Sequence, residues 1–280
     1  MRKLKIFFIV IGTLLLLVGG GLLAVTIVRA NNTENKLIKE TISVENPFSD
    51  IDINISQALL EVKKSTDDKC VVEIDHIEKF NFTVNAADNK LIVKDNDTRV
   101  WYEKYFFNFI FNNMKVIVYL PQAEYNDVKL GNTTGAMVLE EGFTFNNLNT
   151  TSSTGLIKLN GSTIKGELKI HHTTGALEIN DTNAKSLIIE TSTGETKLKN
   201  VIVSENMKID GSTGSVDFYM CDAQTIQVKL STGSIRGSLL TGKTFTASSS
   251  TGSVNVPNTT GGSCILTTST GSIDITVQNS

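Results

Sequence analysis

Three histidines and three cysteines are the only imidazole and thiol side chains of this 280-residue chain. His171 and His172 are neighbours, so on a strand they point to opposite faces and cannot chelate one ion together; His76 stands far off in an earlier segment. Cys70, Cys221 and Cys264 form an odd set with no Cys-x-x-Cys spacing, so extracellular disulfides are permitted but not demanded. No serine sits in a Gly-x-Ser-x-Gly elbow, and no Gly-Gly-x-Gly-x-Asp run marks a calcium-binding solenoid. Basic charge is also lacking: 26 Lys and Arg stand against 29 Asp and Glu. Such a surface is not that of a nucleic-acid-binding protein.

What the chain has is repetition. Eight times at a nearly constant interval a Ser or Thr is followed by Thr-Gly, with these periodic glycines at Gly135, Gly155, Gly175, Gly194, Gly214, Gly233, Gly252 and Gly271, always 19 or 20 residues apart. A fixed period of this length signals stacked repeats. Around each glycine the apolar residues alternate with polar ones, as in Leu168-Lys-Ile170 and Ile273-Asp-Ile275, which is the period of a half-buried strand. Each repeat therefore reads as strand, Thr-Gly corner, strand and a second polar turn such as Asn160-Gly161-Ser162-Thr163. Glycine suits the corner because it adopts positive φ without a Cβ penalty. One such unit cannot bury its apolar side alone, but units pairing in parallel about 4.8 Å apart can. The predicted fold is all-β, a parallel β-solenoid.

Strand parity assigns the Thr before each glycine, from Thr134 and Thr154 to Thr270, to the inward side as a self-satisfying hydroxyl ladder, with a binding ladder as the functional alternative. It leaves one outward Ser/Thr column, from Thr133 and Ser153 through Ser269. Cys264 falls in an inward apolar column, where a thiol packs as a small hydrophobe. Three residues after the glycines, Glu178, Asp217 and Asp274 share a column with Lys158, Lys197 and Arg236. That mixture reads as a solvated face rather than the paired carboxylates of a glycosidase.

Residues Ile6 to Val28 form an uncharged stretch of 23, long enough to span about 30 Å of hydrocarbon. Arg2, Lys3 and Lys5 precede it, which puts the N-terminus in the cytoplasm and the remainder outside. The rival reading, a cleaved signal peptide, meets the difficulty that such cores usually run about 7–15 residues. Without Arg2, Lys3, Lys5 and Arg29, the exported part keeps 22 basic and 29 acidic residues, a net of −7.

The organisation read from these signals is a basic stub and transmembrane signal-anchor (1–30), a short linker (31–40), irregular N-terminal coils and cap (41–120) and the regular Thr-Gly solenoid (121–280). A separate small β-domain is the alternative for 41–120. The Gly271 repeat is expected to end the stack, its edge either pairing with another chain or blunted by Gln278, Asn279 and Ser280. One segment departs from every pattern: Trp101, Tyr102, Tyr105, Phe106, Phe107, Phe109 and Phe111 crowd together. It reads either as a plug for the end of the solenoid or as a contact for a partner or the membrane interface, where Trp and Tyr are favoured.

The short span, a β segment closing in Val118-Tyr-Leu-Pro121, and the Ser-Thr-Gly-Ser-Ile/Val units at Ser212–Val216, Ser231–Ile235, Ser250–Val254 and Ser269–Ile273 together resemble a bacterial candidate-adhesin family, a domain of unknown function. The resemblance covers about Thr41 to Val277 and implies a right-handed β-solenoid; it transfers no catalytic residue, cofactor or metal site. The expected role is a non-enzymatic, membrane-anchored binding or scaffold module of the cell envelope, with an envelope protein or cell-wall glycan as partner. A regulator of an envelope stress response acting through a membrane partner is the alternative the resemblance also suggests.

Overall fold

The structure, a computed structural model, describes residues 11–13, 18–21, 37–78, 80–98 and 114–278. Strands dominate them. The described parts of the apolar N-terminal stretch are helical, and among the described residues no helix is long and apolar enough to cross a membrane.

The Thr-Gly repeats stack as coils with two arms. Strands Thr144–Asn160 and Thr163–Asn180 run without a break round the corner and pair in parallel along their length, with Leu148 opposite Leu168, Gly155 opposite Gly175 and Asn160 opposite Asn180. One period of sequence therefore equals one level of the stack, which is why identical residues form columns. Leu168, Ile170, Leu177 and Ile179 of one level are buried against their counterparts above and below, and the columns merge into one continuous core.

The corner column needs glycine twice over. Gly135 to Gly271 all have φ between +129° and +147°, a region closed to residues with a Cβ. A Cβ at any of them would also lie far inside contact distance of a carbonyl oxygen in the preceding level: that of Gly155 for Gly175, and that of Ala58 for Gly135. At the second corner Gly161, Asp181, Asn200 and Met220 take a left-handed conformation. Asn180 donates to Asn160 at 3.1 Å and Asn200 to Asp181 at 2.7 Å, linking those turns from level to level.

The ends do not follow chain order. Near the N-terminus, strand Asp50–Gln57 lies between Lys90–Asp97 and Glu124–Thr134, all parallel, and Leu59–Lys64 lies between Lys115–Leu120 and Met137–Leu139. Beyond this level the pairing turns antiparallel: Phe80–Ala87 on Lys90–Asp97, Cys70–His76 on Lys115–Leu120, and Ile38–Val44 on Cys70–His76. Antiparallel pairing, one hairpin and two long-range pairs, thus replaces parallel stacking.

At the other end the last two levels are exchanged. Strand Gly262–Thr270 pairs with 225–232 on one side and with Lys243–Thr251 on the other, while Ile273–Val277 pairs with Ile235–Leu239 and Val254–Asn255. The Gly271 coil is therefore inserted beneath the Gly252 coil, and the expectation that it ends the stack is wrong. The local chemistry supplies a reason. A Cβ at Gly262 would collide with the Gln224 carbonyl, so the level resting on Gln224 takes glycine there. Its partner in register, Lys243, occupies the outer level and extends its ammonium to Asp222 Oδ1 at 2.5 Å, two levels in, and to Thr241 Oγ1 at 2.9 Å. With only 4% of the Lys243 side chain and 17% of Asp222 exposed, neither charge can be left alone cheaply.

Candidate interaction surfaces

The inward lining of the Thr-Gly corner comes from the residue three before each glycine. Asn132 donates to Ala58 O at 2.8 Å, Thr268 to Gly233 O at 3.0 Å and Ser249 to Gly271 O at 2.7 Å. In each case the acceptor is the corner carbonyl of the level beneath. His172 occupies the same position with 1% exposure. The carbonyls of Gly155 and Thr174 lie beside its ring, yet neither nitrogen makes a hydrogen bond of ordinary geometry. Burial pushes its pKa below the usual histidine value, and the two carbonyls only partly oppose that. His171 faces outward and sits 3.4 Å from Glu190 Oε2, as the opposite-face reading required.

With that position turned inward, the next two residues both face solvent. Every Thr preceding a glycine, Thr134 to Thr270, is exposed, and so is every Ser or Thr before it. This overturns the internal Thr ladder and the single outward column: strand alternation does not carry through the bend, and two adjacent hydroxyl columns emerge instead of one. Eight corners thus carry sixteen exposed hydroxyl side chains and no charge along one ridge.

Ionic side chains flank this ridge. On one arm His171, Glu190, Asp210 and Lys229 succeed each other beside a depression of about 600 Å³ that opens over Gly211. On the other arm a groove of about 780 Å³ has Tyr219, 59% exposed, at its rim. Most of its charges are paired: Lys197 with Glu195 at 2.7 Å, Glu178 with the neighbouring Lys158 at 3.6 Å, and Arg236 with both carboxylate oxygens of Asp217. These hydrogen bonds hold the Lys197 and Arg236 pKa values above their ordinary ones. Exposed pairs of this kind contribute little to stability.

Tyr219 was not singled out from the sequence. Register slips between Phe218 and Cys221, where Ser238 alone faces Tyr219 and Met220, and Ser238 Oγ accepts the Met220 N–H at 3.1 Å. The signal lay in the second-corner column, where Gly, Asp and Asn give way to Met220 at φ +57°, an uncommon conformation for that residue.

Among the described residues no group of three or more His, Cys, Asp and Glu is placed to hold a metal ion. Burial raises the thiol pKa of Cys70 and Cys264 to about 12 and that of Cys221 to about 11, so all three pack as thiols rather than act as nucleophiles. The aromatic cluster from Trp101 to Phe111 lies outside the described residues.

With two-armed parallel coils and Thr-Gly corners in view, a family comparison is decisive: the model of Toastrack DUF4097 matches residues 48–205. The chain belongs to the Toastrack DUF4097 family. The Toastrack match runs from the first complete level through most of the regular stack and stops short of both Tyr219 and the exchanged levels. No curated protein matches the chain. Among solved structures it is similar to a candidate adhesin from Parabacteroides distasonis, 16% identical, with a TM-score of 0.47 over 87% of this chain and 98% of the other. It is similar also to a candidate adhesin from Bacteroides fragilis (18% identical, TM-score 0.43, 87% and 98% covered). A third, from Parabacteroides distasonis and described as a candidate lipid-binding protein, is 15% identical, with a TM-score of 0.43 over 86% and 95% of the two chains.

Proposed function

We propose that this Toastrack chain is a non-enzymatic binding or scaffold module of the bacterial cell surface. Its right-handed solenoid is held outside the membrane by residues 6–28, and the hydroxyl ridge is its principal contact face. The observation supporting this reading is the ridge itself, with two exposed hydroxyl columns on eight successive corners. Each hydroxyl both donates and accepts, and the spacing of about 4.8 Å between levels presents them as a regular row. A row of that kind suits an extended, hydroxyl-rich polymer such as a cell-wall glycan. It also keeps the acidic charge of the exported part away from the contact line. Repetition argues in the same direction, because a catalytic group needs unique neighbours and the ridge has none. The aromatic segment from Trp101 to Phe111 serves as a second contact, set against the membrane interface.

The test is cosedimentation of the full-length chain, in detergent micelles, with insoluble cell-wall glycan. Binding is expected, and it should be lost when Thr154, Thr174 and Thr193 are changed together to Val. Absence of binding, or binding indifferent to that triple change, refutes the ridge. Co-purification with a membrane kinase or transporter that ignores the triple change would favour the stress-response regulator instead.

A further inference from the structure

The 243–255 coil forms one end of the stack. Among the described residues, strand Lys243–Thr251 pairs only with Gly262–Thr270, and Val254–Asn255 only with Ile273–Val277. Both arms therefore present one backbone edge outward. Cover is confined to the second corner, where Thr259 Oγ1 accepts the Lys243 N–H at 3.1 Å and donates to Lys243 O at 2.8 Å. Past that point the edge is open among the described residues.

Two further properties single out this end. Its inward residues are incompletely covered: Phe245, Ala247 and Ser249 are half-buried, whereas Leu168, Ile170 and His172 at the same positions in the stack are buried, and Val254 is 43% exposed. No charged residue occurs from Thr244 to Ile273. Natural edges are usually blunted by lysines, bulges or inward charges that forbid further pairing; past the inward Lys243 at its start, this one carries no such charge.

We propose that this end is a self-association surface: two copies meet end to end about a twofold axis normal to the sheets, each Lys243–Thr251 strand pairing antiparallel with its counterpart. The occupant follows from the shape of the end. A single added strand would cover one arm and leave the other edge and the half-exposed core between them open. A partner that covers both arms at once needs two edges at the same separation with an apolar gap between them, which is the same end of a second copy. Charge points the same way, because an acidic protein meets itself without repulsion only where it carries no charge. This contact is independent of what the hydroxyl ridge binds.

The experiment uses the full-length chain in detergent micelles with Ser248→Cys at the exposed edge and a bis-maleimide crosslinker; Cys70, Cys221 and Cys264 are buried. A crosslinked dimer is expected from Ser248→Cys and not from Thr151→Cys, exposed on the same arm far down the stack. Adding Thr246→Lys should abolish the dimer while leaving circular dichroism unchanged, because the twofold brings like charges together. Mixing Thr246→Lys chains with Thr246→Glu chains should restore it. Equal yields from the two cysteine positions, persistence of the dimer with Thr246→Lys, or capture of a different protein at Ser248→Cys would overturn the proposal.

Discussion

Replacing His172 by threonine should flatten the acid side of the stability profile. The imidazole is buried with no well-formed hydrogen bond, and burial lowers its pKa in the folded state. Below its unfolded pKa of about 6.5 the unfolded chain takes up a proton that the folded one resists. Stability from this group is therefore present above about pH 6.5 and is lost as pH falls below it. One proton per chain sets the limit, about 1.4 kcal/mol per pH unit, so the loss between pH 7.5 and 5.5 is at most about 1.4 kcal/mol. Threonine is the informative replacement, because Thr268 occupies the same place in its own level and donates to Gly233 O at 3.0 Å. The cost of the smaller side chain is the same at every pH and cancels from the slope. Urea unfolding followed by circular dichroism at pH 7.5, 6.5 and 5.5, for both proteins, measures the difference. Parallel profiles for wild type and His172→Thr would refute the reasoning.

Gly194→Ala should destabilise by about 2–5 kcal/mol, combining left-handed strain with collision against the Gly175 carbonyl; a loss below about 1 kcal/mol in the same urea assay would refute the close approach. Lys243→Met alone should cost about 3–5 kcal/mol, because it strands the partly buried Asp222 carboxylate. The double change with Asp222→Asn should cost less than the sum of the single ones, and additivity in that mutant cycle would show that the pair is not coupled.

The arms of the stack were legible because burial dictates alternation, and alternation with a fixed period dictates parallel coils. Leu168, Ile170, Leu177 and Ile179 illustrate how directly the pattern maps onto the core. The corner was read wrongly for the same reason. Parity does not carry across a bend where glycine takes positive φ, so Thr134 and its equivalents face solvent and the inward place falls to Asn132, Ser152 and His172. The order of the last levels was hidden because every coil carries the same Thr-Gly mark. Only a side-chain difference, glycine at 262 against lysine at 243, distinguishes the two slots, and its meaning depends on the Gln224 carbonyl. Tyr219 lies in register with the exposed Lys199 on the outward side of its arm, and the one-residue slip against Ser238 beside it is contained in no periodic template.

The exchange of the final levels also bears on how the molecule is assembled. From Glu124 to Leu239 each coil can dock on the one made just before it, so growth proceeds by local, short-range additions. That route ends at Leu239. The 243–255 segment emerges next, but its resting place lies on a surface contributed by residues that follow it. It must wait, or occupy the vacant slot and then yield it to 262–277. The last two coils therefore close as one cooperative unit, which makes this end of the rod the natural seat of a slow phase in folding.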